Sequence, residues 1–361
     1  MSAGDSLDDA CDRPGPMRAG EELNRATLEP FLRSQFPDEH GYIEFKQYPA
    51  GHSNLTYSVK FGAREMVLRR PPYGSEVKSA HDMSREYRVL SKLHAAYSPA
   101  PEVFLYCEDE SIIGAPFYLM QPMHGIILRR DPPAAMDFSA DTARQLCEAF
   151  VSNLAELHRL DYNAIGLGAL GNPEGYLDRQ LKGWTERYHH SKTHEHAEIE
   201  RLVEWMTARR PSSGRPALIH NDYKFDNVVL DPREPTKIIG LLDWEMCTIG
   251  DPLTDLGTLL AYWVEETDLP ELKAVRWGPT NFPGSLRRIE IVQLYRELTK
   301  RDTSEIGFYL VFARFKLAVI VQQIYYRYHR GLTKDPRFAS MHELVRILLQ
   351  AALRCAATNK I

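Results

Sequence analysis

Apolar residues change their spacing twice along the chain. Leu23, Leu28, Phe31, Leu32 and Phe36 recur at helical intervals and predict an amphipathic helix. From Tyr42 to Arg70 the period drops to two. Tyr57, Val59 and Phe61 alternate with polar residues, Gly62-Ala63-Arg64 turns the chain, and Met66 to Arg70 returns as a strand. Ser79 to Leu93 is predicted helical, with Tyr87, Leu90 and Leu93 on one face. Val103–Cys107 and Pro116–Pro122 are two more strands, separated by turn residues Glu108 to Ser111. Residues 42–122 thus read as a five-stranded antiparallel sheet with one helix.

Past Gly125 the helical period dominates. Ala143–Leu160 carries Leu146, Phe150, Leu154 and Leu157 on one face, and helices follow near Tyr176–His189 and Glu195–Arg209. Three short apolar strands come next, Ala217–Ile219, Val228–Leu230 and Ile238–Leu242. Pro252 to Ala356 reads as helix again. The pattern predicts an α+β, bilobal chain: a small antiparallel-sheet lobe over residues 21–122 and a larger, mainly helical lobe over 123–361. A hinge near Gln121–Gly125 joins them. Residues 1–20, rich in Gly, Pro, Asp and Ser without periodicity, are expected to be a mobile tail.

Composition narrows the class. A length of 361 residues suits two units sharing a cleft. A net charge of -5 gives no basic surplus of the kind nucleic acid binding requires. The five scattered cysteines show no metal-ligand spacing and are expected as reduced thiols in a cytoplasmic protein. Met1 to Arg13 lacks the apolar segment of a signal peptide, and no stretch is expected to reach the length of a membrane span.

The chemistry concentrates at the short strands. His220-Asn221-Asp222-Tyr223-Lys224-Phe225-Asp226-Asn227 follows the first, and Asp243-Trp244-Glu245 follows the third. The spacing H-x-D-x-x-x-x-N is that of a kinase catalytic loop. Phosphoryl transfer needs a carboxylate to take or orient the proton of an attacking hydroxyl, and oxygen ligands for magnesium. Asp222 is the candidate base. Asn227 and Asp243 are the candidate metal ligands, because a hairpin would fold Asp243 back beside Asn227. Lys224 either points at the transferring phosphoryl or is a solvated lysine. His220 has no ligand-spaced partner and is expected to buttress the loop. Asp255, in Gly250-Asp251-Pro252-Leu253-Thr254-Asp255-Leu256, either ties a helix start to this loop or is an ordinary first-turn acid.

Upstream residues would hold a nucleotide. Pro49 to Asn54 links two strands and is either a plain turn or a flap whose amides (Gly51, Ser53, Asn54) cover phosphates. Arg69 would point into the cleft, with Arg70 facing outward. Glu86, mid-helix, has the sign to pair with Arg69, or else faces solvent. The backbone from Gln121 to Met123 could meet an adenine ring, and pure packing explains it equally.

These motifs together resemble the aminoglycoside phosphotransferase-like kinases, small-molecule relatives of protein kinases, over about residues 25–350. Val67-Leu68-Arg69-Arg70-Pro71-Pro72, Arg85-Glu86-Tyr87-Arg88-Val89-Leu90 and Asp243-Trp244-Glu245 are similar to the branch associated with acyl-CoA dehydrogenases. The resemblance implies a protein kinase-like fold, ATP as phosphoryl donor and Mg2+ as cofactor. It implies Asp222 as base, Asn227 and Asp243 on magnesium, and Arg69 with Glu86 on the phosphates. Only the kinase portion is implied, since the chain shows no flavin motif. Two departures stand out: Arg69 replaces the usual lysine, and the flap lacks a full G-x-G-x-x-G.

No Ala-Pro-Glu segment follows Asp243, which favours a small-molecule acceptor over a peptide. Residues 301–361 hold ten basic and four acidic side chains, the wrong sign for a cationic antibiotic. A hydroxy acid or hydroxyacyl-CoA suits it better; surface charge unrelated to substrate is the alternative. Tyr262, Trp263, Tyr325, Tyr326 and Tyr328 could line an apolar pocket, though their helical spacing suits a core. A pseudokinase scaffold and an aminoglycoside phosphotransferase are the competing functions.

Overall fold

The computed structural model describes residues 7–49, 54–73, 82–333, 335–358 and 360–361. Its N-terminal lobe comprises α1 (Arg25–Gln35), β1 (Ile43–Gln47), β2 (Leu55–Phe61), β3 (Arg64–Arg70), α2 (Met83–Leu93), β4 (Val103–Cys107), α3 (Glu110–Ile113) and β5 (Phe117–Met120). The five strands form one antiparallel sheet in the order β1-β2-β3-β5-β4. In β3 both faces are covered. Met66 and Leu68 join α1 in one core, while Val67 faces α2 and the second lobe. Asn24 caps α1 by accepting from the Ala26 N–H, and Asp82 caps α2 by accepting from Arg85.

Two expectations for this lobe change. Arg70 lies on the face opposite Arg69 but does not reach solvent; it is 2% exposed. Its guanidinium donates to the carbonyls of Ile113 and Pro71 and lies 3.8 Å from the centre of the Tyr73 ring. Strand alternation gave the face; α3, in place of the expected turn, supplies the cover. Within the stretch expected as a mobile tail, Gly15 and Gln47 exchange backbone hydrogen bonds of 2.8 Å, and Cys11 bridges to Ile126.

The second lobe begins beyond the linker, where Ile126 and Leu230 exchange backbone bonds of 3.0 and 2.9 Å. It contains α4 (Ala140–Arg159), α5 (Tyr176–Ser191), α6 (Ala197–Arg209), β6 (Ala217–Ile219), β7 (Val228–Leu230), β8 (Ile238–Leu241), β9 (Thr248–Gly250), α7 (Leu253–Tyr262), α8 (Pro270–Ala274), α9 (Arg288–Thr299), α10 (Ile306–His329) and α11 (Met341–Thr358). β7 pairs with β8, and β6 pairs with β9, a strand the sequence pattern does not show because Thr248-Ile249-Gly250 has a single large apolar residue. The loop 220–227 therefore runs from one ribbon to the other.

α10 corrects the expectation about apolar stretches: it is long and apolar enough to cross a membrane. Its apolar window is 89% buried inside the lobe, so here it is a core helix, apolar all round because it is covered all round. α7 packs directly on it. Gly257 makes that approach possible, since a Cβ there would lie 2.6 Å from the Tyr309 carbonyl oxygen.

Candidate active site

The loop 220–227 is fixed from below by α7. The Asp255 carboxylate accepts the backbone N–H of His220 through Oδ2 and that of Asn221 through Oδ1, both at 2.6 Å. Oδ2 also lies 3.1 Å from His158 Nε2, whose other ring nitrogen meets the Tyr295 hydroxyl at 2.8 Å. Asp255 is 0% exposed. Burial disfavours its charge, but the contact with His158 outweighs it and holds the carboxyl below the ordinary aspartate range. Of the two readings of Asp255, the structure selects the tie between helix and loop.

Asn221 completes the support, and the sequence reading gave it no role. It adopts φ 68°, in the left-handed region that asparagine tolerates better than most residues. Its carboxamide accepts from Tyr176 and donates to the Met246 carbonyl, and its own carbonyl accepts from Lys316 at 2.8 Å. His220 is buried, with Nε2 2.9 Å from the Leu242 carbonyl and its ring 4.8 Å from that of Trp244. Burial lowers its pKa, and it buttresses the loop as expected.

Asp222 emerges from this platform with both oxygens engaged. Oδ2 accepts from Lys224 Nζ at 2.8 Å and Asn227 Nδ2 at 3.0 Å; Oδ1 accepts from the Tyr262 hydroxyl at 3.3 Å. Lys224 is therefore paired with Asp222 and only 20% exposed. Burial works against its charge, yet Tyr262 and Asp222 together raise its pKa.

Asp243 approaches from the β8 side. The Leu242 N–H donates to the Asn227 carbonyl at 2.8 Å, which places the two loops together. Asp243 has φ 70°, another left-handed residue where a carboxylate must be aimed. Its Oδ1 accepts from Arg69 Nη2 at 3.0 Å, and Arg69 Nη1 lies 2.9 Å from Glu86 Oε1. The same Glu86 oxygen accepts the Trp244 N–H at 3.1 Å. Burial opposes the charge of Asp243, and Arg69 overrides it to lower the pKa. Glu86 is pushed upward by burial, with Arg69 opposing. The structure thus brings Arg69 and Glu86 together.

The donor set suits magnesium. Asn227 directs its amide nitrogen to both Asp222 Oδ2 and the Asp222 carbonyl, which leaves its carboxamide oxygen outside those bonds. With the Asp243 carboxylate it offers hard oxygens from two side chains. That is the usual protein share for an ion that keeps waters and phosphate oxygens.

The remaining candidates divide. Gly51 and Ser53 lie outside the described residues. Asn54 is buried, and its Nδ2 donates to Glu245 Oε2 at 2.7 Å, a link between the strand after the flap and the Asp243 segment. The Gln121 N–H is taken by the Glu102 carbonyl at 2.7 Å, so it is not free to meet a purine. The Met123 side chain reaches over β8, where a Cβ on Gly240 would come within 3.0 Å of its Cε.

Beneath Asp222, between α7 and α10, lies a space of about 10 Å³ bounded by Asn221, Tyr262, Lys316, Leu317 and Ile320 among others. Of the ten basic residues near the C-terminus, Lys316 lines this space. Arg314 instead donates to the Ala351 carbonyl, and Arg337 and Arg346 pair with Asp335 and Glu343. Among the described residues, the basic region meets this space through Lys316. Lys316 is 5% exposed, and burial lowers its pKa to about 8. Of the aromatic residues that could line a pocket or fill the core, Tyr262 lies beside Asp222, Trp263 is in the core, and Tyr325 packs against His194 and His342.

The fold is bilobal, with a sheet-rich lobe above a helical one and polar loops from both meeting in the cleft, as in protein kinases. A model of the phosphotransferase enzyme family matches residues 44–281, and the chain belongs to that family. It is 31% identical over 342 residues to acyl-CoA dehydrogenase family member 11 of Gallus gallus, covering 92% of this chain and 43% of the relative. The chain spans less than half the length of that relative and 29% of acyl-CoA dehydrogenase family member 10 of Mus musculus. A putative aminoglycoside phosphotransferase from Ralstonia eutropha superposes with a TM-score of 0.79 at 27% identity, over 93% of this chain and 99% of the other. A thermostable mutant of an aminoglycoside phosphotransferase, solved with ADP and hygromycin B, shares the fold at TM-score 0.59 and 15% identity, over 91% and 98%.

Proposed function

We propose that this chain transfers a phosphoryl group from ATP to a hydroxyl of a small molecule, with magnesium, and that the acceptor carries an anionic group, as in a hydroxy acid or hydroxyacyl-CoA. The observation that carries the reading is the meeting of Asp222, Asn227, Asp243 and Arg69 in one cleft. In this reading Asp222 takes the proton of the acceptor hydroxyl as the new O–P bond forms. The bond from the γ-phosphorus to its bridging oxygen breaks, and ADP departs. Lys224 and Arg69 face the charge that develops on the phosphoryl oxygens. Asn227 and Asp243 would hold magnesium, which neutralises the phosphates when bound.

ATP as donor rests on the family, and on the ADP found in a structural neighbour. Lys316 supports the anionic acceptor: a buried cation beside the base repels a polyamine antibiotic and attracts a carboxylate or phosphate. A cytoplasmic setting goes with this reading, in keeping with five scattered cysteines without metal-ligand spacing.

The test is ADP release from magnesium-ATP over a library of hydroxy acids, their CoA esters, sugars and amino alcohols. Asp222→Asn should lower turnover at least about a hundredfold. Nucleotide-induced thermal stabilisation should persist. Undiminished turnover in that variant sinks the assignment.

A further inference from the structure

Tyr262 ends α7 with its hydroxyl 3.3 Å from Asp222 Oδ1. The other carboxylate oxygen is already filled by Lys224 and Asn227. The space beside them, about 10 Å³, is at the lower limit for a single water. While Tyr262 stays, its hydroxyl fills the side of Oδ1 that faces this space, and the Asp222 side chain as a whole is 18% exposed.

The Tyr262 contact is also weak enough to yield. A separation of 3.3 Å is long for a hydroxyl-to-carboxylate bond, which is commonly about 2.5–3.0 Å, so little is lost on breaking it. Its ring is half-buried, packed edge-on against Trp277 at 5.6 Å, and it carries the Lys224 ammonium 5.4 Å from its centre.

We propose that Tyr262 is a positioning residue that guards the base. Its hydroxyl holds the acceptor's place on Asp222 and keeps water from being phosphorylated until an acceptor displaces it. The chemical reason is general: any kinase that exposes its base beside bound ATP also activates water. In that side reaction a water oxygen bonds the γ-phosphorus, the bond to the bridging oxygen breaks, and the water proton passes to Asp222. ADP and inorganic phosphate result. An acceptor with enough binding energy displaces the tyrosine; a single water has none to spend.

This inference rests on Asp222 being the base, and the experiment separates the two. Phosphate release from magnesium-ATP without acceptor is measured for the wild type, Tyr262→Phe, Tyr262→Leu, and Tyr262→Phe combined with Asp222→Asn. Removing one weak hydrogen bond should raise acceptor-free hydrolysis about three- to tenfold in Tyr262→Phe. Tyr262→Leu should rise at least as much, and the combined variant should fall below the wild type. A tyrosine with only a structural role would leave hydrolysis unchanged or lower in both single variants, and that result overturns the guard while leaving the kinase reading intact. Hydrolysis that survives in the combined variant overturns Asp222 as base, and the guard with it.

Discussion

Arg69 reaches from the sheet-rich lobe to Asp243, its Nη2 3.0 Å from Oδ1, while its other terminal nitrogen stays 2.9 Å from Glu86. One guanidinium therefore holds two carboxylates in fixed directions, which a single ammonium cannot do. Glu86 is 0% exposed, so it depends on this cation. Arg69→Met should cost about 3–5 kcal/mol in urea unfolding, because it strands a buried charge. Replacing Glu86 by Leu in the same chain should recover most of that loss. A cost below about 1 kcal/mol for Arg69→Met would show that Glu86 is held by other groups.

Arg69→Lys tests the second contact. The lysine keeps one charge and should keep Glu86, but it releases Asp243. Losing one charge-assisted hydrogen bond, worth about 1.5–3 kcal/mol, should weaken nucleotide affinity roughly ten- to a hundredfold with a much smaller stability loss. Calorimetric titration with magnesium-ATP measures it. Unchanged affinity would remove Arg69 from the phosphates.

Asp255 and His158 give the site an acid limit. Burial lowers the pKa of His158, and of His220 on the loop above. An unfolded histidine takes a proton near pH 6.5, whereas these folded ones resist it, so the unfolded state binds more protons below that pH. Stability should fall as pH drops through about 6.5, by roughly 1.4 kcal/mol per pH unit for each proton. Urea midpoints between pH 7.5 and 5.5 measure the slope. His158→Gln should flatten it by about one proton; an unaltered slope would show that His158 protonates freely in the folded chain.

What the sequence disclosed, and what it hid, follows from how each residue acts. That Asp222, Asn227 and Asp243 would meet was legible because polar residues at fixed spacing beside short apolar strands have few packing explanations. The Arg69–Glu86 pair was legible from strand alternation and sign. Arg70 was misread because alternation says which face a side chain takes, not that α3 covers it. Asn221 carries a readable signal, as one of the non-glycine residue types most tolerant of the left-handed region. Lys316 and Tyr262 had only diffuse signals: a lysine among ten basic residues and one of five aromatic pocket candidates come beside Asp222 only when α7 lies against α10. β9 is hidden by its composition: β6 and β7 are as short but wholly apolar, whereas Thr248-Ile249-Gly250 reads as a turn.

That helix contact can be tested directly. A Cβ at Gly257 would sit 2.6 Å from the Tyr309 carbonyl oxygen, a backbone atom that cannot swing aside. Gly257→Ala should therefore destabilise by about 1–3 kcal/mol, against the small gain alanine normally brings to a helix. It should also shift α7 relative to Lys316 and lower turnover more than nucleotide affinity. A variant as stable as the wild type would mean that α10 yields at that point.

Lys316 sets an alkaline limit of a different kind. Burial lowers its pKa to about 8, against about 10.4 for a free lysine. Between those values the unfolded chain holds a proton that the folded chain has lost, so this residue's contribution to stability rises with pH across that window. Its contribution to acceptor binding moves the other way, because only the ammonium attracts an anionic group. For an anionic acceptor, kcat/KM should fall above about pH 8, through a rising KM with kcat little changed. Lys316→Met should have a raised KM at pH 7 and lose the alkaline decline. In the same variant, stability should no longer climb between pH 8 and 10. If the decline persists in Lys316→Met, the anion is read by another cation, and Lys316 serves only to hold the Asn221 carbonyl.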